Sequence, residues 1–398
     1  MPNSELTHPC LLTIGTCNRH AGITVLVQSF LKHHPSAHVF VCLVDRPNTG
    51  AKSIDLPASV LYADELALPA GRRFLFKYPA FELCCALKPY VMSYLMNRFT
   101  ISHLLYLDSD ILVTAPFWDD LQKSWADHAI LLTPHWVGLP LDLPVEFQRS
   151  VVQHGMYNGG FVAIKQGPDT RRFLDCWANL LESQCTFDPM NNIYVDQRWL
   201  DLLAASSSAV GVLRDPGVNV GYWNLYERRL CEDKTSGWSV DDKPLKFFHF
   251  SGFDRDRVTT KVDCSHEAAA ALGRYYGILL DAAGEQEFGQ LPYGWNLYCD
   301  GTPIPPEHRD LILGSHPELK HIENPFDLPT MLQDWKTIQR LVRSTPPVRI
   351  SQRYRDSQKV LGTFKRLYRH PLIGPIWRVW RRLVNPSLGA DLPPYVRS

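Results

Sequence analysis

The stretch Leu104–Val113, LLYLDSDILV, decides how the rest of the chain is read. Apolar residues run straight into Asp108-Ser109-Asp110, and Ile111-Leu112-Val113 follows. The run HLLYL (103–107) has the β-favouring composition of a buried strand, so two carboxylates stand one residue apart at its end. A charge in such a place is costly unless something pairs with it. The pair therefore either caps a turn or holds a cation. A bare Asp-x-Asp is more often a turn or cap. The apolar flanks weigh against that, because partly buried like charges need a counterion. Two carboxylates converging at a strand end suit a hard divalent cation, which prefers oxygen ligands.

Outward from this strand, short β-branched runs alternate with helical patterns. CLLTIG (10–15), AHVFVCLVD (37–45), SVLYA (59–63), AILLT (129–133), GGFVAI (159–164), VGVLR (210–214) and LKFFHF (245–250) read as strands. AGITVLVQSFLKHHP (21–35) reads as a helix stopped by Pro35. YPAFELCCALKPYVMSYLMN (78–97) reads as helical, with Pro89 a break or restart. Strands separated by helices predict an α/β fold with a mainly parallel sheet, whose ligands sit beyond the carboxyl ends of the strands. Asp45 and Asp108 are both at such ends. After about residue 263 strand signals thin out and prolines multiply, which places a boundary there.

With 398 residues, 45% of them hydrophobic, the chain can bury a large core. Lys plus Arg and Asp plus Glu both number 41, so net charge points to no nucleic-acid partner. The balance breaks between Arg349 and Arg382, where ten basic residues meet one acid, Asp356. No stretch approaches the roughly 18 apolar residues of a membrane span. No basic region followed by an apolar run opens the chain, so no signal peptide is expected. Ten cysteines are scattered with no CxxC pair, as in reduced cytosolic proteins. A soluble, cytoplasmic protein is expected.

Three further stretches carry candidate chemistry. In MYNGGFVAIK (156–165), Asn158-Gly159-Gly160 permits positive φ and a close backbone approach to a ligand; a tight turn is the ordinary alternative. YVDQRWLD (194–201) sets Asp196 and Gln197 at a helix start, where Asp commonly caps. FFHFSGF (247–253) sets His249 among aromatics, either as a core residue or as a metal ligand. DSDILVT also resembles the nucleophile motif of haloacid-dehalogenase phosphatases. That family begins near the N-terminus and needs later Lys and acidic motifs that this chain lacks in the right context.

Taken in order, ALKPYVMSYLM…LLYLDSDILV, LLTPHW, YNGGFVAI, VDQRWLD, GVNVGYWNL and FFHFSGF resemble the GT-A glycosyltransferases, in particular the glycogenin-like (family 8) retaining group and related bacterial sugar transferases. The resemblance covers roughly residues 10 to 262. It implies a GT-A catalytic domain over 9–262, with a Rossmann-like, mainly parallel mixed sheet and helices on both faces, followed by a mostly helical extension over 263–398. It implies a nucleotide-diphosphosugar donor, a UDP-sugar favoured, and Mn²⁺ (or Mg²⁺) held by Asp108, Asp110 and His249. Thr13, Gly15, Thr16 and Cys17 would border the base and ribose, with Asp45 nearby. Ser109 lies within the same motif, and Lys88 would face the donor. Asn158, Gly159, Gly160 and Asn219 would surround the donor sugar. Gln197 or Asp196 would stand at the reacting carbon, with the anomeric configuration retained. The family's Gly-x-x-Lys-Pro-Trp is not intact: after Gly252 the chain offers Lys261, or Arg255 or Arg257, for the diphosphate. Nucleotidyl transfer and a non-catalytic sugar-nucleotide or glycan-binding role are the competing classes. TIGTCNRHAG is a poor version of the Gly-rich loop the first needs, and the intact Asp-Asp-His set argues against the second.

In HPLIGPIWRVWRRLV (370–384), Ile373, Ile376, Trp377, Trp380, Leu383 and Val384 share one helical face, with Arg378, Arg381 and Arg382 on or beside the other. Such a segment suits either an anionic membrane surface or docking on the catalytic domain. The first would place the protein at the inner membrane face, with a lipid-linked glycan or cell-surface glycan precursor as acceptor.

Overall fold

Side chains alternate along a strand, so Leu104 and Tyr106 must face one side of a sheet and Leu105 and Leu107 the other. In the computed structural model both sets are buried, in two separate apolar clusters. The structure describes residues 5–6, 8–46, 56–138, 145–233, 237–253, 267–313, 319–328, 340–341 and 344.

Seven strands form the central sheet: β1 Cys10–Gly15, β2 His38–Leu43, β3 Ser59–Tyr62, β4 His103–Leu107, β5 Ile130–Pro134, β6 Tyr157–Lys165 and β7 Val210–Val212. Their order is β7-β5-β6-β4-β1-β2-β3. Only β6 runs against its neighbours; the other pairings are parallel. This is the mainly parallel mixed sheet expected from the alternating pattern. Leu11 lies beside both Val39 and Leu105, so β1, β2 and β4 finish at one edge. Helices Ala80–Arg98, Pro168–Gln184 and Gln197–Ala205 cover the Leu104/Tyr106 face, and His20–His33 covers the other. Removing each large apolar side chain from water contributes roughly 1.5–3 kcal/mol.

Two expectations need correction. Pro89 neither breaks nor restarts its helix, which runs continuously from Ala80 to Arg98. Leu83, Leu87, Val91, Met92 and Leu95 are buried on both sides of it, and their packing offsets the missing backbone donor. The segment around residue 247 does not extend the main sheet. Phe247–His249 pairs antiparallel with Ile111–Val113, placing His249 opposite Ile111. That small ribbon returns the end of FFHF to the edge of the DSD motif.

The change of character near residue 263 is not a gap in packing. Tyr293, Trp295, Tyr298 and Leu311 share a core with Cys10, Leu12 and Phe40. Arg309 donates to the carbonyls of Phe76, Tyr78 and Trp295 at 2.8, 3.0 and 2.6 Å. Lys261, Arg255, Arg257 and the tail segment 370–384 lie outside the described residues. Among the described residues no helix is long and apolar enough to cross a membrane.

Candidate active site

Continuing the alternation of β4 puts Asp108 on the same face as Tyr106, toward helix Ala80–Arg98. Tyr106 donates its hydroxyl to Asp108 Oδ1 at 2.5 Å, and Lys88 Nζ stands 3.3 Å from the same oxygen. Lys88 also lies 2.9 Å from Asp196 Oδ2 and donates to the Gly159 carbonyl at 2.8 Å. Its ammonium is buried, which by itself would lower its pKa; Asp108 and Asp196 reverse this and hold it charged. Burial in turn pushes the Asp196 carboxyl up, against the pull of Lys88.

His249, brought back by the ribbon, places Nε2 3.0 Å from Asp110 Oδ1 and 3.8 Å from Asp108 Oδ2. Ligand atoms of Asp108, Asp110 and His249 all lie within 4.8 Å of one another. Burial would lower the His249 pKa, but the facing Asp110 and Asp108 raise it. Asp110 is likewise pushed up by burial and brought below the usual range by the imidazole. Two carboxylates lining a cleft, with one buried imidazole against them, fit a divalent cation. The cleft encloses about 320 Å³ beyond the ends of β1 and β4, with Gly15, Thr16, Ser109, Gly252 and Tyr276 among its lining.

Gly159 and Gly160 work differently from the expectation. Neither adopts positive φ among the described residues. Their value is the missing Cβ. A Cβ on Gly160 would lie 2.3 Å from His249 Cε1, and one on Gly159 would lie 2.8 Å from Asp196 Oδ2. The close approach is to the site's own side chains. Gly22, in the first turn of His20–His33, is similar: its Cβ would meet the Ser109 carbonyl at 2.7 Å.

Asp196 precedes Gln197–Ala205 but makes no side-chain cap; its carboxylate goes to Lys88 instead. The residue before it, Val195, sits at φ 43°, strained for a β-branched side chain. Gln197 is buried, its Oε1 accepting from Gly159 N at 3.0 Å and Asn158 Nδ2 at 3.3 Å. Its Nε2 donates to the His154 carbonyl at 2.9 Å. Asn158 Oδ1 accepts from Gly160 N at 3.0 Å and Asn219 Nδ2 at 3.1 Å.

Other expected contacts lie deeper than the cleft. Thr13 is wholly buried in β1. Cys17 is buried and donates its N–H to Asp45 Oδ2 at 3.3 Å. Asp45 Oδ1 accepts from Arg46 N at 3.0 Å and Gly294 N at 2.7 Å. Burial pushes its carboxyl up despite those three donors. Asp45 thus ties the end of β2 to a segment nearly 250 residues away. Tyr106 was not singled out in the sequence, although its place two residues before Asp108 on the same strand face was a usable signal. Tyr276 left no such mark.

No family profile matches the chain. Two proteins of Bacillus subtilis (strain 168), the uncharacterized proteins YfnF and YfnD, are each 25% identical to it, over 176 and 241 residues. These matches take in 43% and 57% of this chain. They span 57% of YfnF, little more than half its length, and 72% of YfnD. Among solved structures the chain is similar to glycosyltransferases. The galactosyltransferase LgtC with donor and acceptor sugar analogs aligns at 13% identity over 72% of this chain and 98% of that one, with a TM-score of 0.41. GlyE of Streptococcus pneumoniae TIGR4 aligns at 13% identity over 74% and 67%, TM-score 0.38. Mouse xyloside xylosyltransferase 1 aligns at 14% over 61% and 97%, TM-score 0.37. Likenesses this distant do not extend to activity or substrate.

Proposed function

We propose that the chain is a GT-A-type glycosyltransferase that moves a sugar from a nucleotide-diphosphosugar, a UDP-sugar favoured, to an acceptor hydroxyl with retention. The observation that carries this reading is the cluster of Asp108, Asp110 and His249, whose two carboxylates line a cleft at the strand ends where α/β sheets bind ligands. A Mn²⁺ or Mg²⁺ ion held by these three residues would oppose the charge that grows on a leaving diphosphate. The protein's own groups set the frame for it. Lys88 and Tyr106 hold Asp108 from behind. Gly159 and Gly160 leave room for Asp196 and His249. Asp196 and Gln197 belong to the sugar side, where Gln197 fixes the Gly159 N–H.

The test is a thermal-shift panel of UDP-, GDP- and TDP-sugars with and without Mn²⁺, followed by assay of nucleotide-diphosphate release. A donor at about 100 times its Kd raises stability by about 2.7 kcal/mol. A Mn²⁺-dependent shift with one sugar nucleotide, slow diphosphate release, and loss of the shift in Asp110→Asn are expected. Release of sugar 1-phosphate, with the nucleoside monophosphate passed to an acceptor, would point to nucleotidyl transfer, and a shift with no turnover on any acceptor to a binding protein. Membrane attachment through 370–384, and with it a lipid-linked glycan or cell-surface glycan precursor as acceptor, rests on the sequence of that segment alone. Flotation with anionic and neutral vesicles, comparing the full chain with a form ending at Ser344, tests it.

A further inference from the structure

Asn219 is wholly buried and sits in the left-handed region at φ 53°. Its Oδ1 lies 3.2 Å from His249 Nδ1. Its Nδ2 donates to Thr133 Oγ1 at 2.7 Å and to Asn158 Oδ1 at 3.1 Å. Asn158 Oδ1, itself fixed by the Gly160 N–H, sets which way the amide is turned, because only the NH₂ end can donate to it. Oδ1 is therefore the atom facing the imidazole, and it can only accept. The chain of donors continues in one sense: His249 Nδ1 to Asn219, Asn219 to Asn158, Asn158 Nδ2 to Gln197, and Gln197 Nε2 to the His154 carbonyl. Each amide has its orientation set by the next, and the last is anchored on backbone.

We infer that Asn219 is a positioning residue for the metal triad, fixing His249 with its proton on Nδ1 so that Nε2 faces Asp108 and Asp110. The inference rests on the proposed metal site and assigns Asn219 a place behind it rather than against the donor sugar. An outer partner on the remote nitrogen sets the tautomer and ring direction of a metal-binding histidine, and its loss typically costs tenfold to hundredfold in metal affinity.

The side chain is best deleted with Asn219→Gly, since glycine accepts the left-handed backbone that alanine would strain. Asn219→Asp keeps an acceptor for His249 and tolerates the same backbone. MnCl₂ is titrated calorimetrically into the donor-free full-length protein, with CaCl₂ as a comparison ion that has little use for imidazole nitrogen. In Asn219→Gly, Mn²⁺ affinity should fall about tenfold or more, with a smaller change for Ca²⁺. Asn219→Asp should retain Mn²⁺ affinity to within about threefold of wild type, as a carboxylate behind the imidazole would allow. Equal Mn²⁺ affinity in wild type and a folded Asn219→Gly overturns the inference and leaves the metal site standing. Should Asn219→Gly not fold, ¹⁵N NMR of the neutral wild-type imidazole decides, and a proton on Nε2 rather than Nδ1 overturns the inference. If the wild type itself binds no Mn²⁺, both the metal site and this role for Asn219 fall.

Discussion

The backbone of Gly160 lies against the imidazole of His249, so close that a Cβ there would stand 2.3 Å from Cε1 and 2.8 Å from Nδ1. Gly160→Ala must displace a ring whose Nδ1 is held by Asn219. Overpacking of this kind destabilises by about 1–3 kcal/mol. Thermal unfolding should show that loss, and MnCl₂ titration should show weaker binding. If both stay at wild-type values, the ring has room that the structure does not give it.

Lys88→Met leaves Asp108 and Asp196 facing each other without their shared cation. Breaking a buried ion pair by removing one partner costs about 3–5 kcal/mol. The lower end applies here, because the Asp108 side chain is 31% exposed and water can take up part of its charge. Urea unfolding measures the loss. Adding Asp196→Asn to Lys88→Met should recover part of the stability without restoring turnover. No recovery would mean that Asp196 carries no unpaired charge in the single variant.

Gln197→Ala strips the acceptor from Gly159 N and Asn158 Nδ2 at once. Leaving a buried donor unsatisfied costs about 1–3 kcal/mol, about fivefold to 150-fold if it falls on the transition state. We expect kcat to drop more than donor KM rises, since the geometry around Gly159 matters most as charge develops. A change confined to KM would assign Gln197 to donor binding alone.

Acid should weaken the fold through His34. This imidazole is packed against Phe30 and Phe117, with ring centroids 4.6 and 5.3 Å away. Burial lowers its pKa to about 4, the neighbouring His33 adds to this, and Asp119 opposes it. Below the ordinary histidine pKa of about 6.5 the unfolded chain takes up a proton that the folded chain refuses, so stability falls with pH down to about 4. Between pH 6.5 and 5 the effect is about 1.5 kcal/mol. Urea midpoints at both pH values should draw together in His34→Met by a corresponding amount. An undiminished difference would clear His34 of the effect.

Much of the sheet was readable because its strands are short apolar runs at a βαβ rhythm, and β1 and β4 have the limits read from the sequence. The Asp-Ser-Asp pair was readable because charge at the end of such a run is physically odd. Pairing partners were not. Nothing local in LKFFHF says that it joins Ile111–Val113 rather than the main sheet, since that choice depends on chain closure over more than a hundred residues. The purpose of Asn-Gly-Gly was half legible: the need for small residues showed, but not that His249 and Asp196 are what crowd them. Asp45 looked like a ligand-facing acid because its three donors come from Cys17, Arg46 and Gly294, of which only Arg46 adjoins it in sequence.

The contact between Asp45 and Gly294 also bears on how the molecule comes into being. A ribosome adds about 5–20 residues per second, so on the order of 12–50 s separate the appearance of these two residues. Only near the end of that interval does the nascent chain hold all seven sheet strands and the Asp108, Asp110 and His249 cluster, and Asp45 still awaits its third donor. The helix Glu267–Ala282, whose Tyr276 and Leu280 wall the cleft, arrives late as well. Until then Ala21 and Val25, which that helix covers in the finished protein, remain available to chaperones or to other chains. The cleft is thus walled only once Glu285 has been made, and substitutions at the 267–294 contacts should reduce the yield of folded protein before they alter its chemistry.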